Sequence, residues 1–94
     1  VLADALMRDL GLVDTPSGLL AVAVMPSAPA RTDAGCDAVL LDGIQDPGNV
    51  GTLLRTAAAA GIRQVLLSPG CAAAWSPKVL RAGQGAHFVL AIHE

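Results

Sequence analysis

The chain has 94 residues, 53% of them hydrophobic and only 15% charged, a composition built for burial that excludes a disordered segment. Trp75 and Phe88 are its only aromatic residues, so bulk in the core must come from Leu, Val and Ala. The formal net charge of −2 excludes attachment to a nucleic acid through a broad basic surface and confines any such contact to a local patch.

In chain order, LADALMRDLGL at the start has the spacing of a short helix. Residues 19–24 form an apolar run that ends at Pro26 and reads as a strand. No apolar run reaches the roughly 18 residues of a membrane span, so no membrane association is expected, and a basic region followed by a long apolar core, the mark of a signal peptide, is missing from the first residues. PSAPARTDAGC, residues 26–36, is a Pro/Ala/Gly-rich loop between strands.

Residues 37–42, DAVLLD, are short, apolar and flanked by polar groups, as expected of a strand buried on both faces of a parallel sheet. Residues 43–48 then make a polar turn, where Pro47 and Gly48 stop the strand. Asn49 is a good N-cap, which starts the next helix near Val50. On a helical wheel Val50, Leu53, Leu54 and Ala57 share one arc, and Gly51, Thr52, Arg55, Thr56 and Ala59 lie opposite, so Arg55 points away from the sheet. Gly61 ends the helix by tolerating the left-handed conformation, and residues 63–68 form the next strand. This is one βαβ unit. A further helix follows Pro77 and places Lys78 and Arg81, three apart, on one face.

Cys36 and Cys71 fall in loops without metal-like spacing and read as free thiols of a cytoplasmic protein. His87 and His93, six apart, would lie roughly 20 Å apart along one strand, too far to share a metal, and no metal site is expected. Asp42 and Asp46 sit at the carboxyl end of the strand, where open α/β sheets bind ligands, although a turn-stabilising role is at least as good a reading.

QDPGNVGTLLRTAAAAG closely resembles the first signature of the SpoU (TrmH-type) RNA ribose methyltransferases, with Asn49, Gly51, Arg55, Thr56, Ala57 and Gly61 in matching positions. SPKVLRAGQGAHFVL, residues 76–90, is similar to the family's following helix and strand, and residues 14–22 to the approach to its methyltransferase domain. The resemblance spans residues 13–94, with residues 1–12 as a connector helix from an N-terminal substrate-binding domain. It implies an α/β fold, a mostly parallel sheet with flanking helices, forming the Rossmann-like front half of a trefoil-knot domain.

The family's Gly-Ser-Glu-Gly-type and Ser-Leu-Asn-containing loops, which hold S-adenosylmethionine in the knot, do not occur in these residues. The cofactor-binding residues are therefore unassigned, and the 94-residue chain alone is expected to be inactive. The activity implied is S-adenosylmethionine-dependent methyl transfer to a ribose 2′-hydroxyl of ribosomal or transfer RNA by a homodimer. Arg55 and Asn49 are the catalytic candidates, and Lys78, Arg81, Gly51 and Thr56 the RNA-binding ones.

Methyl transfer requires a hydroxyl, a poor nucleophile, to lose its proton in line with the methyl group, and it needs no metal. The resemblance gives the base role to Arg55, but a guanidinium, the most basic of the side chains, stays protonated in ordinary surroundings. Arg55 has a second role open to it, stabilising the developing alkoxide and gripping the adjacent phosphate bidentately. Helix capping accounts for Asn49 as well as active-site shaping does, and close packing accounts for Gly51 as well as an anion does. Two rival functions are a non-catalytic RNA-binding or scaffold module and a dinucleotide-binding enzyme. Gly43, Gly48 and Gly51 do not form the G-x-G-x-x-G that the second would need.

Overall fold

A computed structural model describes residues 1–11, 15, 17–27 and 30–94. Its elements are helix α1 (Asp4–Asp9), strand β1 (Ala38–Leu41), helix α2 (Pro47–Ala59), strand β2 (Gln64–Leu67), helix α3 (Pro77–Gly83), a 3-10 turn (Ala86–Phe88) and strand β3 (Ala91–His93). The three strands form one parallel sheet in the order β1-β2-β3, with Val39 opposite Val65, Leu41 opposite Leu67, and Val65 opposite Ile92. This is the α/β class expected from the sequence, with α2 and α3 as the crossovers.

The side chains of Val39, Leu41, Val65, Leu67 and Ile92 join Val50, Leu54 and Ala57 of α2 and Val79 of α3 in a single aliphatic core. Val50, Leu54, Val65 and Val79 are completely enclosed, and each such burial is worth about 1.5–3 kcal/mol relative to exposure. The C-terminus of α2 closes as anticipated at Gly61, whose φ is +80°. Gly61 N–H donates to Ala58 O at 3.1 Å and Ile62 N–H to Ala57 O at 3.0 Å, the paired bonds of a Schellman motif.

Several expectations change. Strand β1 is not buried on both faces: Leu40 is 70% exposed, because α2 and α3 gather on the face carrying Val39 and Leu41. Helix α2 begins at Pro47 rather than near Val50, and its N-cap is Asp46, not Asn49. On α2, Gly51 is buried and Leu53 is exposed, since α3 covers one side of the helix that the sheet alone would have left open. Residues 19–24 form no strand: they find no ladder partner among the described residues, and Leu19, Val22 and Val24 remain 87%, 95% and 95% exposed. His87 lies in the 3-10 turn and His93 on β3, so one strand does not carry both. Helix α1 is present where the spacing placed it, with none of its residues buried. Asp14 and Pro16, in the segment likened to the approach to the domain, lie outside the described residues.

Candidate functional site

The loops that follow β1 and β2 are tied to each other at the carboxyl edge of the sheet. Ser68 Oγ donates to Asp42 Oδ1 at 2.5 Å and accepts the Gly43 N–H at 3.1 Å. Ile44 N–H donates to Cys71 Sγ at 3.3 Å, and Ala72 N–H returns to Ile44 O at 2.8 Å. Asp42 and Asp46 thus take the turn-stabilising role, the second by accepting the Asn49 N–H on Oδ2 at 2.8 Å. Pro47 suits the first helical position because its missing N–H would have no partner there, which leaves the cap to the residue before it.

Along the outer face of α2, Thr52 donates its hydroxyl to Gly48 O at 2.8 Å and Thr56 to Thr52 O at 2.9 Å. Both hydroxyl protons are therefore directed inward along the helix, and the Thr56 oxygen keeps only acceptor capacity for a ligand. Arg55 stands between them, exposed, with a guanidinium that makes no hydrogen bond among the described residues. Asn49 is exposed too, but six positions on a helix set it about 9 Å along the axis and about 120° around it from Arg55. The helix by itself does not bring these two residues together.

Gly51 is where α2 and α3 cross. A Cβ built there would stand 2.7 Å from Val79 O and 2.9 Å from Gly83 N, and would collide with the Ala82 methyl. Close approach of two helix backbones accounts for this glycine, with α3 rather than the sheet as the packing partner. Lys78 and Arg81 lie on the open side of α3, and Arg81 Nη2 reaches Thr15 Oγ1 at 3.3 Å.

The net charge of −2 conceals a sharp partition that composition alone did not reveal. Between Pro47 and His93 the chain holds Arg55, Arg63, Lys78 and Arg81 and not one Asp or Glu. Seven of its eight carboxylates precede Pro47, and the eighth, Glu94, accepts the Ala74 N–H at 2.7 Å. The half of the chain that carries α2 and α3 is therefore cationic, the sign of charge that a polyanion would need.

On the acidic side, Gln64 of β2 is buried and clamps the loop before β1: its Oε1 accepts Asp33 N–H at 2.6 Å and its Nε2 donates to Asp33 O at 2.7 Å. Within this loop the Gly35 N–H, and then the Cys36 thiol, hold the Asp33 carboxyl below its ordinary range. Asp33 in turn pushes the Cys36 thiol up. Both cysteines are free thiols. Among the described residues no three His, Cys, Asp or Glu side chains gather as a metal site, and no helix is long and apolar enough to cross a membrane.

Comparison with known proteins adds to this geometry. A model of the SpoU rRNA Methylase family matches residues 38–94, which hold β1 through β3 and the whole of the candidate site. The mitochondrial rRNA methyltransferase 3 of Xenopus laevis is 47% identical over 85 residues, covering 83% of this chain and 20% of that protein. A crystal structure of an RNA 2′-O ribose methyltransferase superposes with a TM-score of 0.74 at 34% identity, over 97% of this chain and 36% of that one. The AdoMet-bound rRNA methyltransferase of Sinorhizobium meliloti superposes with a TM-score of 0.58 at 39% identity, over 60% of this chain and 22% of that one. The chain spans 20% of the length of the Xenopus relative and 36% or less of the two solved structures.

Proposed function

Because the chain belongs to the SpoU rRNA methylase family, we propose that the protein carrying it transfers a methyl group to a ribose 2′-hydroxyl of RNA. The observation that carries this reading is Arg55, an exposed arginine with no hydrogen-bond partner among the described residues, on the outer face of α2, within the matched region and on the cationic half of the chain. Ribosomal RNA is the favoured substrate, since the Xenopus relative is an rRNA methyltransferase.

In this reading Arg55 acts by position and charge. Its planar fork grips a phosphate next to the target ribose through two parallel hydrogen bonds, and the same cation stabilises the negative charge that develops on the 2′-hydroxyl oxygen as its proton passes by way of that phosphate to water. Arg55 does not have to act as the base itself, a role to which a guanidinium is poorly suited. Lys78 and Arg81 hold backbone phosphates from α3 and set the register of the strand without reading its sequence.

S-adenosylmethionine is the methyl donor in this reading, in keeping with the AdoMet-bound relative. The described residues do not fit it unaided: the donors at the carboxyl edge, Gly43 N, Ile44 N and Ala72 N, are all taken by Ser68, Cys71 and Ile44. This chain contributes the RNA-facing part of the site, and a homodimer is the assembly proposed.

The test is methyl incorporation from labelled S-adenosylmethionine into ribosomal RNA by the whole protein, with the product mapped by the resistance of 2′-O-methylated linkages to alkaline hydrolysis. Label that appears at a base rather than at a ribose would reject the reading.

A further inference from the structure

Phe88 is 91% exposed in a protein whose core is otherwise aliphatic. It is thrown outward by the turn after α3, where Gln84 (φ 50°) and Gly85 (φ 86°) take successive left-handed conformations. Its ring rests beside Gly85, with Cδ2 3.7 Å from the place a side chain there would occupy. The groove below it is bounded by Trp75, Leu80 and His87, and across from them by the exposed segment Ala21–Pro26. Trp75 lies over the His87 ring with centroids 5.0 Å apart and planes inclined by 57°, and His87 Nε2 donates to Ala74 O at 2.8 Å. The floor is thereby held in one arrangement.

We propose that this groove is the subsite for one unpaired nucleotide of the RNA, its base stacked on Phe88 and its phosphate held by Arg81, which follows Leu80 on α3. The inference rests on the RNA methyltransferase reading and deepens it by naming the substrate class as single-stranded or flipped-out RNA. Two observations favour a nucleotide over an apolar partner. Arg81, whose Nη2 donates to Thr15 Oγ1 at 3.3 Å, and Lys78 stand exposed on α3, the helix that supplies Leu80 to the groove, and the stretch from Pro47 to His93 that carries Trp75, Leu80 and Phe88 contains no carboxylate. An exposed aromatic face on a surface that also carries cationic side chains is a combination suited to an unstacked base with its phosphate. An A-form duplex keeps its bases stacked and offers Phe88 nothing to pair with.

The test uses the whole protein and fluorescently labelled oligoribonucleotides, one single-stranded and one duplex, with dissociation constants read by anisotropy for wild type, Phe88→Leu and Phe88→Trp. Phe88→Leu is expected to weaken single-strand binding about tenfold while leaving duplex binding unchanged, and Phe88→Trp to retain wild-type affinity. Because Phe88 buries almost nothing, both variants should fold, which a thermal melt verifies. Equal single-strand affinity in wild type and Phe88→Leu overturns the subsite. So does a parallel loss on single strand and duplex, or a loss of self-association in sedimentation with single-strand affinity intact, which would make the face a contact between copies. Wild-type protein that binds single strands through Phe88 but never methylates them would reject the enzymatic reading and leave the subsite standing.

Discussion

The Asp46 carboxylate accepts the backbone N–H of Asn49 at 2.8 Å, so the residue that caps α2 lies three positions before the one whose type most suggests a cap. Asp46→Ala is therefore expected to destabilise the protein by about 1 kcal/mol, the usual worth of an N-cap side chain. Asn49→Ala should leave stability nearly unchanged, since the bond uses only its backbone. Urea unfolding of the two variants decides the matter, and the reverse order of stabilities would return the cap to Asn49.

Arg55→Ala is expected to lower the rate of methyl transfer by about 10²–10³-fold, the range seen when a donor to developing negative charge is removed. Since the side chain is exposed and makes no hydrogen bond among the described residues, unfolding should be nearly unaffected. Arg55→Lys keeps the charge and loses the fork, so its rate should stay well below wild type if bidentate geometry matters. A lysine variant as fast as wild type would leave charge alone as the requirement.

Gly51→Ala tests the helix crossing. Alanine at this position gains about 1 kcal/mol of intrinsic helix propensity, yet its methyl would collide with Ala82 and stand 2.7 Å from Val79 O. Overpacking of that kind costs about 1–3 kcal/mol, and because the nearest obstacles include backbone atoms the clash should prevail. A variant more stable than wild type would show that α3 can move aside.

Cys36 should alkylate more slowly near neutral pH than an ordinary exposed thiol, because Asp33 favours its protonated form. The thiol's hydrogen bond to Asp33 persists below the ordinary thiol range and is lost as pH rises through the elevated value. The Asp33 carboxylate, held low, keeps its bonds above the ordinary carboxylate range and gives them up as pH falls. Asp33→Asn should shift the pH profile of Cys36 alkylation downward. An unchanged profile would remove Asp33 as the cause.

Much of the fold can be read locally. The apolar runs of β1 and β2, the stop at Gly61 and the stripe formed by Val50, Leu54 and Ala57 depend on near neighbours, and all three recur in the structure. What could not be read depends on distant partners. Gly51 faces inward only because α3 crosses there, and residues 19–24 have strand-like composition but no strand to pair with among those described. Of two good capping residues three positions apart, Asp46 and Asn49, the first is selected by Pro47, which follows it and suits the first helical position. The outward direction of Arg55 was legible from periodicity, whereas its chemistry came from resemblance, because no spacing rule marks a lone arginine as reactive. The cationic character of α2 and α3 was hidden by averaging over the chain, although position by position it is written there.

The link made by Ser68 between Asp42 and Gly43 fastens the loops after β1 and β2 into one unit at the mouth of the site. Under the proposed function, a strand of RNA arriving at the start of α2 would meet a surface whose loop entropy has already been lost during folding, so little ordering would be left to oppose association. Preorganisation of this kind would appear mainly as a slow off-rate, and loosening it with Ser68→Ala should shorten the lifetime of the complex more than it slows its formation.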